Sequence, residues 1–306
     1  MLSTFLSKSK PINFIVISLY LVIMALLVSN KQIFEVSNSQ ILYFFSGIFL
    51  CLISLGLFHW ILKKGSLTDK GTYALLMYVS LLGMVPEAIA HPDKIVASSL
   101  MLLSFSQMVD MMNHTKTKAK IFNASLCIGL ASIIYFWSIG FIALLYLGIY
   151  FFRSSDYRNW FVPGIGLITI YVLANCFTLL FFDRFYMPVQ NAVVSYDVFA
   201  NTLNGAHFFT LGTLSICTIF FVIIYALHIS NRPNVYKPLM KLVVGYVLIA
   251  SIIITISPNK DTSELIFIIA PLAIMGATYL QLIGFKLIKE IHLWFFACLP
   301  FLFFLF

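Results

Sequence analysis

The chain has 306 residues, 61% of them hydrophobic and 10% charged, with a formal net charge of +8. A mean hydropathy of +0.99 excludes a water-soluble globular domain, whose charged share is about 25%. The positive charge is scattered through short loops and forms no Lys/Arg stripe, which argues against a nucleic-acid partner.

The chain opens MLSTFLSKSKPINFIVISLYLVIMALLVS, basic residues followed by a hydrophobic run. The run is long and no small-residue cleavage site closes it, so it reads as an uncleaved first helix. Apolar runs separated by charged loops then predict helices over about 12–29, 41–62, 71–90 and 95–112. After a special run at 121–152 come helices over about 160–182, 206–229, 242–257, 265–284 and 291–306. The longest polar-rich interruption, Asp183 to Gly205, is too short to fold alone, so 1–306 reads as a single integral membrane domain.

The run 121–152 lies between KTKAK and RSSDYR and holds 32 residues. One helix of that length would be about 48 Å long, whereas two full crossings need about 40 residues. The charges decide between the two. A double crossing, turning near Tyr135–Ser138, puts fifteen of the nineteen Lys and Arg on the inner side and leaves Lys31, Lys94, Arg184 and Lys260 outside. A single crossing flips everything after it and levels the split to ten against nine. The bias of Lys and Arg toward the cytoplasm selects the short hairpin. The expected fold is therefore all-α and polytopic, with about 11 transmembrane helices. It sits in a bacterial inner membrane with the N-terminus cytoplasmic and the C-terminus periplasmic.

The acids run the other way. Glu35, Glu87, Asp93, Asp183, Asp197, Asp261 and Glu264 map to the outer side, and Asp69, Asp156, Glu290 and Asp110 to the inner side or near it. The stretch EAIAHPDKIVASS, 87–99, is charged among greasy neighbours and reads as the wet turn between two membrane helices, with Asp93 its residue most worth changing. The outer loop after the helix at 160–182 is the longest in the chain and, with Tyr186, Tyr196, Phe199 and His207, is the candidate lid or an amphipathic segment lying on the membrane. In SPNKDTSELIFIIAP, either Asp261 or Ser263 caps the next helix, where acids suit the positive end. Alternatively, Lys260 and that helix end receive an anionic group.

No metal site is expected. The six histidines include no HxxH or HxxxH pair, and the five cysteines form no CxxC pair. P-loop and GxSxG signatures are absent, and no cofactor is indicated.

The segments SKSKPINFIVIS, GLASIIYFWSIGFIALLYLGIYFFRSSDYRNWFVPGIGLITIYVL (129–173) and KEIHLWFFACLPF resemble a family of uncharacterised polytopic membrane proteins of Bacteroidota, over most of the chain. A second resemblance is one of layout. HPDKIVASSLMLLSFSQM, a basic loop, then GLASIIYF and a short hairpin are similar to membrane glycosyltransferases of the GT-C superfamily. That resemblance implies a polyprenyl-phosphate sugar donor used at the outer face and acidic residues in outer loops as the catalytic base. Glu35 and Asp93 stand at the matching positions, in a first outer loop far shorter than the superfamily's. Lys260 and Arg184 would then stabilise the departing phosphate, with His91, Asp261 and Glu264 completing the substrate-binding rim. Two other readings stand beside it: a non-catalytic scaffold of an envelope complex, and a lipid or small-molecule transporter.

Overall fold

The computed structural model describes residues 2–33, 38–65, 67–68, 71–113, 115–153, 156–187, 205–258 and 260–301. Among them there are helices and no strands: α1 (Leu2–Leu6), α2 (Pro11–Ile33), α3 (Asn38–Gly65), α4 (Tyr73–Gly83), α5 (Pro86–Ala90), α6 (Pro92–Asp110) and α7 (Thr117–Ile134). Then follow α8 (Ile142–Arg153), α9 (Arg158–Phe182), α10 (Gly205–Ile229), α11 (Lys237–Ile256), α12 (Ile266–Leu282) and α13 (Lys286–Cys298). Three of these helices, α2, α5 and α6, begin on a proline, whose fixed φ and missing N–H cost nothing at a first helical position.

Among the described residues, seven segments, carried by α3, α6, α7, α9, α10, α11 and α12, are long and apolar enough to cross a bilayer; shorter apolar helices cover Pro11–Leu27, Tyr73–Gly83 and Phe136–Phe152. Length alone therefore does not reach the expected count of about eleven, and the differences have local causes. The helix expected over 71–90 is broken. Pro86 lacks an N–H, and its ring disfavours helical geometry at the residue before it. Val85 accordingly leaves the helix, at φ −120° and ψ 68°. The run 121–152 also divides, at Tyr135, which is extended (φ −133°, ψ 103°), and a 3-10 turn over Phe136–Phe141 leads into α8. The division falls at the predicted turn.

The chain forms two compact units, one of 1–95, 198–232 and 259–306, the other of 96–197 and 233–258. In the first, α4 is buried along its whole length and packs on α12, which is buried along nearly all of its own. A helix apolar on every face belongs in a core or in lipid, and these two are covered by protein. Two tyrosine hydroxyls of α4 are matched: the Tyr78 hydroxyl lies 2.6 Å from Ser54 Oγ, and the Tyr73 hydroxyl donates to the Ser3 carbonyl at 2.7 Å. In the second unit, α7 packs closely on α9, with Gly129 against Ile170 and Gly166 against Ser125. Tyr246 of α11 sits between Phe105 and Phe141 at ring distances of 5.5 and 5.3 Å. The Tyr135 hydroxyl, at the division of the hairpin, pairs with Ser257 Oγ at 2.7 Å.

Gly47 of α3 faces the backbone of Ile89, so that an added Cβ would overlap the Ile89 carbonyl oxygen, whereas Gly56 on the same helix has open space around it. Gly47→Ala should cost about 1–3 kcal/mol and lower the melting temperature in detergent. Gly56→Ala should be neutral or slightly stabilising, because only helix propensity changes there.

Candidate functional site

The charged turn 87–94 is shaped by its two prolines. Pro86 ends α4 and starts α5; Pro92 starts α6; His91 between them is non-helical, at φ −114° and ψ 79°. The carbonyl of Met84, freed by the break, accepts a hydrogen bond from the buried Thr210 hydroxyl of α10 at 3.1 Å. Facing this turn is the segment 260–265. Its Thr262 is a non-glycine residue in the left-handed region, at φ 64°, a geometry that costs about 1–2 kcal/mol. It leads into a 3-10 turn over Ser263–Leu265, against which α5 packs.

The site's centre is an ammonium group. The Lys94 side chain is only 3% exposed. Its Nζ donates to Asp261 Oδ1 at 3.0 Å and to Oδ2 at 3.3 Å, and to the hydroxyl of the fully buried Ser263 at 2.5 Å. Glu264, 2% exposed, brings Oε1 to 3.8 Å. Ser263 in turn donates to Asp261 Oδ1 at 2.7 Å. On the other side of Asp261, His91 Nε2 lies 3.1 Å from Oδ2, while His91 Nδ1 is 4.0 Å from Asp93 Oδ1. Nearby on α5, Glu87 Oε1 is 3.9 Å from His207 Nε2.

These distances set the charges. The hydrogen bond to Asp261 is the largest influence on His91 and raises its pKa; burial and Lys94 oppose it and Asp93 assists it. Burial pushes Asp261 up, but hydrogen bonds from His91 and Ser263 and the charge of Lys94 outweigh it and hold the carboxyl well below the usual range. The result is a half-exposed histidine held between two carboxylates, with the inner one fixed by a buried lysine. Such a histidine can hold or pass a proton at Nδ1.

Of the predicted site residues, His91, Asp93, Asp261 and Glu264 come together here. Lys260 lies next to them, partly exposed, at the start of the 260–265 segment. Asp93 is the outermost, with half of its side chain exposed. Arg184 belongs to the other unit, exposed, its guanidinium 5.6 Å from the Phe182 ring. Glu35 and most of the candidate lid, including Asp197, lie outside the described residues. The expected helix cap is not formed: the residue capping α12 is Leu265, without a side-chain cap, and Asp261 and Ser263 serve Lys94 instead. Among the described residues no group of three or more His, Cys, Asp or Glu is arranged to hold a metal ion.

Lys94 and Ser263 were not in the predicted site. A signal for Lys94 exists: it begins the stripe Lys94, Ala97, Ser98, Met101, Leu102 along α6, at spacings of three and four, all of it buried. Asp93 sits off that stripe.

Lys94→Met leaves two carboxylates without their cation and should cost about 3–5 kcal/mol in detergent unfolding; adding Asp261→Asn should recover part of the loss. The network also sets a pH window. His91's contribution is complete below its ordinary pKa of about 6.5 and is lost as pH rises through its raised value. Asp261's contribution is present above about 3.9 and is lost only as strong acid reaches its depressed value. Exchange protection of 260–265, corrected for intrinsic rate, should therefore fall between mildly acidic and mildly alkaline pH, and His91→Gln should abolish that dependence.

The chain matches, over residues 1–306, the model of a family of unknown function, DUF6427. No curated protein and no solved structure matches it. The helical chain that carries this lysine-centred rim thus belongs to the DUF6427 family.

Proposed function

We propose that the protein is one integral domain of a bacterial inner membrane, N-terminus cytoplasmic and C-terminus periplasmic, that works as a GT-C-like transferase or a degenerate relative on a polyprenyl-phosphate-linked sugar at its outer face. The observation that carries the reading is His91, half-exposed between Asp93 and Asp261 on a rim otherwise built of apolar helices. In this reading Asp93 takes the proton of an acceptor hydroxyl as general base, a role that Glu35 shares. The acceptor oxygen forms a bond to the anomeric carbon as the bond from that carbon to the phosphate breaks. Polyprenyl phosphate leaves with the electron pair. Protonated His91, backed by Asp261, stands beside the developing phosphate charge, with Lys260 as a further cationic partner. Lys94 is a positioning residue: it fixes the carboxylate that orients His91.

A second reading, the non-catalytic scaffold, is favoured by one feature. Lys94 is already matched by Asp261 and Glu264 inside the protein, so the charges also serve to hold the turn 91–94 to the 260–265 turn.

The two separate in one assay. The full chain in lipid nanodiscs, given polyprenyl-phosphate-linked sugars and polyol acceptors, should release polyprenyl phosphate. Asp93→Asn combined with Glu35→Gln should lower that rate by about 10²–10⁴ without changing the amount of folded protein. Turnover unaffected by the double substitution removes the transferase mechanism. No turnover by the wild-type chain with any donor leaves the scaffold.

A further inference from the structure

Away from the rim, the first unit contains a cleft of about 520 Å³ between α10 and α13. Thr213, Ile216, Cys217 and Phe220 of α10 form one wall at spacings of three, one and three. Ile291, His292, Phe295, Phe296 and Leu299 of α13 form the other, and Tyr279 of α12 also lines it. Ile216, Phe220, Ile291 and Phe295 are exposed, so the cleft opens on the apolar outside of the helices. Its aromatic members brace one another: Tyr279 meets Phe220 at 5.1 Å and His292 at 5.6 Å, both edge-on.

Two polar groups interrupt this lining. The Tyr279 hydroxyl has no hydrogen-bond partner among the described residues. His292 uses Nδ1 to donate to the Ile288 carbonyl at 2.8 Å, and its Nε2 has none. Where such a hydroxyl meets hydrocarbon, the missing partner costs several kcal/mol, so an occupant that brings an acceptor is favoured over bare alkane. Charge adds a direction. Lys289, three residues before His292 on α13, holds its ammonium 5.8 Å from the centre of the Tyr73 ring, and α1, which packs on α13, leads into Lys8 and Lys10. The one acid on α13, Glu290, is occupied by the N–H and hydroxyl of Ser3 and the N–H of Leu2.

We propose that this cleft binds a single acyl chain of an anionic glycerophospholipid, its ester carbonyl accepting from Tyr279 and its phosphate meeting Lys289. The volume suits one acyl chain of the length that fills a bilayer leaflet, and not the much longer isoprenoid tail of the proposed sugar donor. The basic edge selects an anionic over a zwitterionic head, as Lys near an anionic leaflet does generally. The site is independent of the transferase reading and stands or falls without it.

The test uses the full-length protein in nanodiscs containing phosphatidylglycerol and phosphatidylcholine, each in turn with a photoreactive acyl chain. Phosphatidylglycerol should label peptides covering 213–220 and 291–299 well above the other lipid-facing helices, α3 and α9. Lys289→Gln should reduce its advantage over phosphatidylcholine by about fivefold, and Cys217→Trp, which fills the cleft, should remove the labelling. Even labelling of all lipid-facing helices in the wild type overturns the proposal and needs no variant to fold. Unchanged labelling in Cys217→Trp, or displacement of the probe by stoichiometric polyprenyl phosphate, overturns it as well.

Discussion

A lysine ammonium buried among carboxylates constrains the rest of the first unit. Lys94 Nζ cannot be left bare in a low-dielectric interior, so Asp261, Ser263 and Glu264 must stay within reach of it. That requirement fixes the turn before α12 against the start of α6, although the two are more than 160 residues apart in the chain. It also accounts for the left-handed Thr262, since the chain has to turn sharply to bring both Asp261 and Ser263 to one cation. An ion set of this kind contributes geometry more than net stability, because well-packed apolar residues hold helices together as well. Its value lies in holding Asp261 ionised beside a histidine that reaches the surface.

The polar break at Met84–Pro86 belongs to the same construction. Were α4 to continue to residue 90 as one rod, His91 would not emerge as a non-helical corner between two short elements. Pro86 stops the rod, Thr210 satisfies the carbonyl that the stop releases, and Pro92 restarts the helix with Lys94 pointing inward. Each of the three deals with a backbone group that a membrane interior would not leave unmatched.

The apolar periodicity made the helices legible, because hydrocarbon demands long apolar runs and charged loops separate them. The turn at Tyr135 was legible too, from charge balance rather than from any glycine or proline at that position. The crossing count was less so. Pro86 stands inside a run that hydropathy reads as continuous, and hydropathy averages over the single residue that stops the helix. At the site, residue types pointed to His91, Asp93, Asp261 and Glu264, which do converge. Lys94 was counted as a loop charge because the positive-inside rule treats every lysine alike, whereas its register on α6 puts it on the buried face. Ser263 carried no signal of its own; its role depends on a neighbour that only the tertiary fold supplies.

The shortness of α4 bears on how the protein reaches its final form. Its eleven residues extend about 16 Å, half the thickness of a hydrocarbon layer, and every one of them is covered by protein. The insertion machinery samples segments as they leave the ribosome, and a helix this short cannot span the hydrocarbon layer by itself. It has to be carried in with α2 or α3, or wait for α12, which is made almost two hundred residues later. Synthesis of the chain therefore leaves one side of α4 without its cover until α12 has been made.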